Sequence, residues 1–249
     1  MKLYRGLNLS NSEIEFIKMN GDSDLEKGAW LLKPRINHHN LSAQNVIEKI
    51  LQEPENIERY SSRNSKNILD VGKYVTGCYL GASIYSNDSS EKENNVNIIV
   101  NVNLENIFID GRDFLYTAIP KIIRDQSIDS KFSNKLSACF GSKILDYIEL
   151  SNKYSKQLIL KDGNLLLRLV DYICMDKTII KSHYKNNKIL IKGRHSTRFF
   201  SAFAIIGGIL PDMILEIKKS DPINRKTSLS LIQSQFGFID TIEFNELYQ

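Results

Sequence analysis

Phe199-Phe200-Ser201-Ala202-Phe203-Ala204-Ile205-Ile206-Gly207-Gly208-Ile209-Leu210-Pro211-Asp212-Met213-Ile214-Leu215-Glu216-Ile217-Lys218 is the most apolar run of the chain. A Gly-Gly-x-x-Pro punctuation breaks it, and glycines and a proline at that spacing mark a turn. The run therefore reads as a buried segment up to Ile206, a bend, and a short strand over Met213–Lys218. Alternate residues of a strand share a face, so Glu216 lies with Ile214 and not with Leu215 or Ile217. A carboxylate beside isoleucine belongs at a sheet rim or in a cleft, because burial without a partner costs several kcal/mol. Alone, Glu216 reads as a solvated strand residue; the start of the chain gives it a sharper reading.

On either side of this run, Lys188–Lys192 reads as a strand, Gly193–Arg198 as a basic loop, and Phe236–Phe244 as the region of a last strand after the polar Lys219–Lys226. At the other end, Lys2-Leu3-Tyr4-Arg5-Gly6-Leu7 reads as a short strand. An amphipathic helix follows from about Ser12, capped in Asn8–Ser12 and closed by Asn20-Gly21. Arginine inside an apolar strand is costly unless an anion or carboxylate meets it, so Arg5 needs a partner.

Between these ends, Ser42 caps a helix to about Gln52, striped by Val46, Ile47, Ile50 and Leu51 and stopped by Pro54. His38 and His39 are adjacent, point apart in an extended chain, and read as solvated loop. Ile68–Ser86 mixes small and aromatic residues and includes a middle strand with Gly81-Ala82-Ser83-Ile84-Tyr85-Ser86. The polar Asn87–Asn95 reads as a mobile loop. Val96–Val102 and Ile107–Ile109 read as strands, the latter ending at the turn dipeptide Asp110-Gly111. From Phe114 to Cys174 the pattern is mostly helical, with stripes at Leu136–Leu150 and Leu165–Ile173 that read as core. The expectation is an α+β fold and a single domain over 1–249, with a mostly helical insertion at about 114–180.

Composition bounds the function. The chain has 249 residues, 42% apolar and 25% charged, ordinary for a globular protein. A net charge of +4 gives no strong polyelectrolyte argument for nucleic acid, although it leaves room for a local basic groove. Cys78, Cys139 and Cys174 are odd in number and widely spaced, which speaks for reduced thiols and against a disulfide frame or a zinc site; no metal is expected. No apolar stretch reaches the roughly 18 residues of a membrane span. No basic n-region with an apolar h-region opens the chain. The expectation is a cytoplasmic protein, or one delivered into a host or target cell without a cleaved signal peptide.

An early strand with Tyr4-Arg5-Gly6, a middle strand with Gly81-Ala82-Ser83-Ile84-Tyr85-Ser86 and a late strand with Glu216 set Arg, Ser and Glu in order on three separate strands. This order resembles the Arg–Ser–Glu class of ADP-ribosyltransferases of bacterial toxin and effector type, and Leu3-Tyr4-Arg5-Gly6 is similar to that family's opening strand. Asn106-Ile107-Phe108-Ile109-Asp110-Gly111-Arg112-Asp113-Phe114-Leu115-Tyr116 also resembles a segment that follows the serine strand in some members. The resemblance implies a split β-sheet core and NAD as the substrate. It gives Glu216 the catalytic carboxylate's role, and places Arg5, Tyr4, Gly6, Ser83, Tyr85 and Ser86 on the cofactor.

The chemistry accords with those residue types. Cleaving the nicotinamide–ribose bond develops positive charge on the ribose, which a fixed carboxylate stabilises more in the transition state than in the ground state. The pyrophosphate needs several donors on one cation, which arginine's fork supplies and lysine does not match. The family's Ser-Thr-Ser triplet is here Ala82-Ser83-Ile84, so Ser86 and Ser196 are rivals for the serine role. Ile214 stands where arginine-modifying members carry Glu or Gln, which points to a non-arginine protein side chain or a nucleobase as acceptor. The implied partners are NAD, a macromolecular acceptor and, for a toxin, a neutralising protein. The alternative is a non-catalytic binding, adaptor or immunity module whose basic loops 192–198 and 218–226 touch an acidic partner.

Overall fold

The computed structural model describes residues 1–24, 29–32, 41–52, 68–88, 91–110, 114–115, 118–119, 130–161, 163–187, 189–192, 198–224, 226–227, 230–231, 234 and 241–243. His38, His39, Gly111 and the loop residues 193–197, Ser196 among them, lie outside the described residues. The protein has an α+β fold and divides into two units.

The first unit comprises Met1–Ala29, Val71–Asp110 and Asn187–Glu243. Its framework is a sheet in which β1 (Lys2–Leu9), β3 (Ile68–Thr76, in this unit from Val71 on), β4 (Asn94–Asn101), β5 (Ile107–Ile109), β8 (Ala202–Ile206) and β9 (Ile214–Lys219) follow the order β5-β8-β3-β1-β4-β9, while β2 (Ala29–Leu32) begins at the last residue of the unit's first segment. The pairings of β1 with β3 and β4, of β3 and β5 with β8, and of β4 with β9 are all antiparallel. β6 (Leu190–Lys192), β7 (Arg198–Phe200) and β10 (Thr241–Glu243) form a separate three-stranded sheet. The core of the first unit holds Leu3, Ile98, Val100, Phe108 and Phe203, each fully buried.

Local signals account for much of this. Ser10 caps α1 (Asn11–Asn20) in a capping box with Glu13, and Gly21, at φ 76°, closes it through an N–H to the carbonyl of Ile17. The opening run bends where expected, with Gly207 and Gly208 at φ 76° and 85°, and a 3-10 turn at Pro211–Met213 leads into β9. Ser201, at φ 40°, separates β7 from β8, a break in the apolar run that only the structure reveals.

Two expectations are corrected here. Tyr79–Ser86 is a helix, α3, and not a strand. Apart from Tyr79 and Tyr85 it is buried on all sides, so no polar stripe marks its period and the short apolar run reads as either element. Helix α3 lies against β1 because Gly6 has no side chain: a Cβ there would stand 1.7 Å from the carbonyl oxygen of Ala82. In the polar 87–95 stretch the described residues make specific contacts: Asn94 opens β4, Lys92 pairs with Glu13, and Asn87 donates to the Ser83 and Asp221 carbonyls.

The second unit comprises Trp30–Asp70, Gly111–Asn186 and Phe244–Gln249. Its helices are α2 (Ala43–Leu51), α4 (Ser130–Phe140), α5 (Lys143–Lys153), α6 (Ser155–Lys161), α7 (Gly163–Met175) and α8 (Lys177–Lys185). Ser42 caps α2 as expected. Gly141, at φ 83°, divides α4 from α5, and Asp176 caps α8 by accepting from the Thr178 and Ile179 amides. Tyr147 donates to the same carboxylate at 3.1 Å; burial and Asp176 push its phenol up, so it stays protonated as a donor. Cys78, Cys139 and Cys174 are not joined in disulfides, and the last two are buried. No described helix is long and apolar enough to cross a membrane.

Candidate functional site

Arg5 has the partner its position in an apolar strand demands. On β1 it alternates with Tyr4 and Gly6 and shares a face with the buried Leu3 and Leu9. Its Nε donates to Asp22 Oδ2 at 2.7 Å and its Nη1 to the carbonyl of Tyr74 at 2.8 Å. Lys73 Nζ lies 2.9 Å from the other oxygen of Asp22. The carboxylate is fixed by its own backbone, since Asp22 and Ile209 exchange two hydrogen bonds of 2.7 and 2.9 Å just after Gly21. Gly21 and Gly208 pack at this bridge: a Cβ on Gly21 would meet the Ile209 carbonyl at 2.1 Å, and one on Gly208 the Ser23 Cα at 2.8 Å.

The side chains of Arg5, Lys73 and Asp22 are only 16, 11 and 13% exposed. Two cations thus share one carboxylate in a largely desolvated place, which leaves one positive charge in excess. Removing charge from water is costly unless it is met by its opposite, so this cluster favours an incoming anion over an incoming cation. The free edge of a guanidinium is suited to phosphate or carboxylate oxygens.

The remaining sequence-predicted residues do not join Arg5. Arg5 pairs with Ile98 and Ile98 with Ile217, whereas Tyr4 pairs with Ile99 and Ile99 with Glu216. Glu216 therefore occupies the opposite face of the sheet from Arg5, exposed on the outermost strand of the path, and the reading of it as a carboxylate in one cleft with Arg5 is corrected. Tyr4 and Gly6 share the face of Glu216, and Gly6 serves the close approach of α3.

Ser83 lies on α3 and is fully buried: its Oγ accepts from Asn97 Nδ2 at 2.8 Å and from the Asp221 amide at 3.2 Å. Ser86, equally buried, donates to the Ser83 carbonyl at 3.0 Å. Ser83 ties α3 to Asn97 and Asp221, the Ser86 bond stays within the helix, and neither buried hydroxyl is presented to a ligand. Tyr85 is 37% exposed on the same helix.

The sequence reading missed Lys73 and Asp22. The demand for an anion beside Arg5 was legible, but its source, 17 residues on and beyond a helix, follows from the bridge to Ile209. Among the described residues no group of three or more His, Cys, Asp or Glu is placed to hold a metal. Comparison with known protein families, curated proteins and solved structures returns no match. Fold and site together define an α+β protein with an anion-favouring cationic cluster on its main sheet.

Proposed function

We propose that the protein binds NAD through the Arg5–Lys73 cluster and acts as an ADP-ribosyltransferase on a macromolecular acceptor other than arginine. The single observation that supports this reading is the Arg5–Asp22–Lys73 arrangement: an arginine of a Leu-Tyr-Arg-Gly strand, oriented by a carboxylate and a carbonyl and backed by a second cation. Asp22 on Nε and the Tyr74 carbonyl on Nη1 orient the guanidinium, so its geometry is set before the ligand arrives and less freedom is lost on binding. The pyrophosphate oxygens then take up the excess positive charge.

In the transfer the bond between nicotinamide and ribose C1′ breaks, and its electron pair leaves with the neutral nicotinamide. The acceptor's nucleophile forms the new bond to C1′ and releases its proton. Binding the pyrophosphate acts equally in ground and transition states, so Arg5 contributes mainly to affinity. Glu216, on the other face, is assigned no part in the step.

The test is incubation with NAD labelled on the adenylate. The reading expects label on protein or nucleic acid of a lysate together with free nicotinamide, both reduced in Arg5→Ala; neither label transfer nor nicotinamide release would overturn it.

A second reading has its own observation. Leu215 is 59% exposed on β9 beside the exposed Glu216, Lys218 and Lys219, the surface of a binding or adaptor module that meets an acidic partner. A chain inert toward NAD that still captures such a partner would favour it.

A further inference from the structure

The sheet face opposite Arg5 carries an unbroken series of cation, ring, ring and cation. Lys2 Nζ stands 5.9 Å from the Tyr4 ring centroid, Tyr4 meets Tyr79 edge to face at 5.5 Å, and Lys218 Nζ stands 5.0 Å from the Tyr79 ring. Strand register builds this: Lys2, Tyr4 and Gly6 share a face of β1, and the rows Tyr4–Ile99–Glu216 and Gly6–Asn97–Lys218 run across to β9. Tyr79, the first residue of α3, is pinned over these rows by its hydroxyl, which donates to the Lys219 carbonyl at 2.8 Å. Lys2, Glu216 and Lys218 are exposed, and both tyrosines are partly so.

We infer that this face binds single-stranded nucleic acid, with bases on the Tyr4 and Tyr79 rings, phosphates on Lys2 and Lys218, and Glu216 accepting from the amino edge of a base. An acidic peptide would use the cations and leave two adjoining rings without a purpose. A single strand uses both, because every base has a π-face and every linkage a charge. In the free protein the ammonium groups cover the rings; on binding, each moves to a phosphate and a base takes its place. The modest net charge of +4 fits recognition by a local stripe over a general polyelectrolyte attraction. This inference does not rest on the NAD reading, and its test contains no NAD.

The experiment is fluorescence anisotropy of the full chain with a fluorescein-labelled 12-nucleotide single strand, the matching duplex, and a labelled oligoglutamate. Expected is preferential binding of the single strand, with a log–log salt slope of about −1.4 for two released phosphate counterions at roughly 0.7 each. Lys2→Gln and Lys218→Gln, both at exposed positions, should each reduce that slope by about 0.7. Tyr79→Ala should weaken binding roughly 5- to 150-fold through one lost stack. Should Tyr79→Ala fail to fold, the two lysine variants decide alone. No binding of the single strand at low salt, binding indifferent to both lysine changes, or oligoglutamate binding as tightly would overturn the inference.

Discussion

Arg5 and Glu216 lie on opposite faces of one sheet, because Arg5 stands in the row of Ile98 and Ile217 while Glu216 stands in the next row with Ile99 and Tyr4. A carboxylate there cannot meet the ribose of an NAD whose pyrophosphate is held by Arg5. Glu216→Gln should therefore leave nicotinamide release within about twofold of the parent. A fall of two to three orders of magnitude, about 2.7–4 kcal/mol, is the signature of a transition-state contact and would contradict this placement.

Gly6 is required by packing. With the Ala82 carbonyl oxygen 1.7 Å from the position of a Cβ, Gly6→Ala must push α3 off the sheet or distort β1. The expected cost is about 3 kcal/mol or more, at the upper end of overpacking, seen as a lowered urea midpoint or loss of soluble protein. Gly207→Ala is the control: φ is 76° but nothing lies within 4 Å, so the cost is the conformational one, about 1 kcal/mol.

Asp22→Asn leaves Arg5 and Lys73 close together without their shared anion. Because all three side chains retain some exposure, the loss should be about 1–3 kcal/mol, below the ~3–5 kcal/mol of a fully buried broken pair. Adding inorganic pyrophosphate should restore part of the urea midpoint, since an anion that binds only the folded state stabilises it. An unchanged midpoint in Asp22→Asn would show that the cluster is not the electrostatic unit described.

Elements announced by local chemistry were legible in the sequence, whereas placements set by long-range register were not. The cap of α1 within Asn8–Ser12, which the structure narrows to Ser10, the Ser42 cap and the Gly207-Gly208 bend each follow from residues a few positions apart. Helix α3 was not legible, because all of it but Tyr79 and Tyr85 is buried and no polar stripe marks its period. The faces of Arg5 and Glu216 were legible within each strand but not relative to each other. That relation depends on how β1, β4 and β9 pair, and a shift of one residue between strands exchanges the faces. The sequence showed that Arg5 needs an anion, and only the backbone bridge between Asp22 and Ile209 shows which.

His183 makes the stability pH-dependent. It is fully buried in α8, stacked on Phe140 at 4.8 Å, with Nδ1 3.1 Å from the Cys139 carbonyl, and desolvation lowers its pKa from 6.5 to about 4. With the folded value depressed, the unfolded chain binds the proton first. The contribution is complete above about pH 6.5 and is lost as pH falls toward 4. Between pH 7 and pH 5 the urea midpoint should fall by the equivalent of about 2 kcal/mol. In His183→Phe this portion of the pH dependence should vanish, and an unchanged pH profile in that variant would refute the assignment.

The most direct test of the central claim is calorimetric titration of NAD into the native chain and into Arg5→Ala, after matching their melting curves. The account predicts saturable binding by the native chain and an affinity lower by roughly 10- to 150-fold in the variant, the scale of one to two charge-assisted hydrogen bonds of about 1.5–3 kcal/mol. No binding of NAD by the native chain, or equal binding by a folded Arg5→Ala, would contradict it.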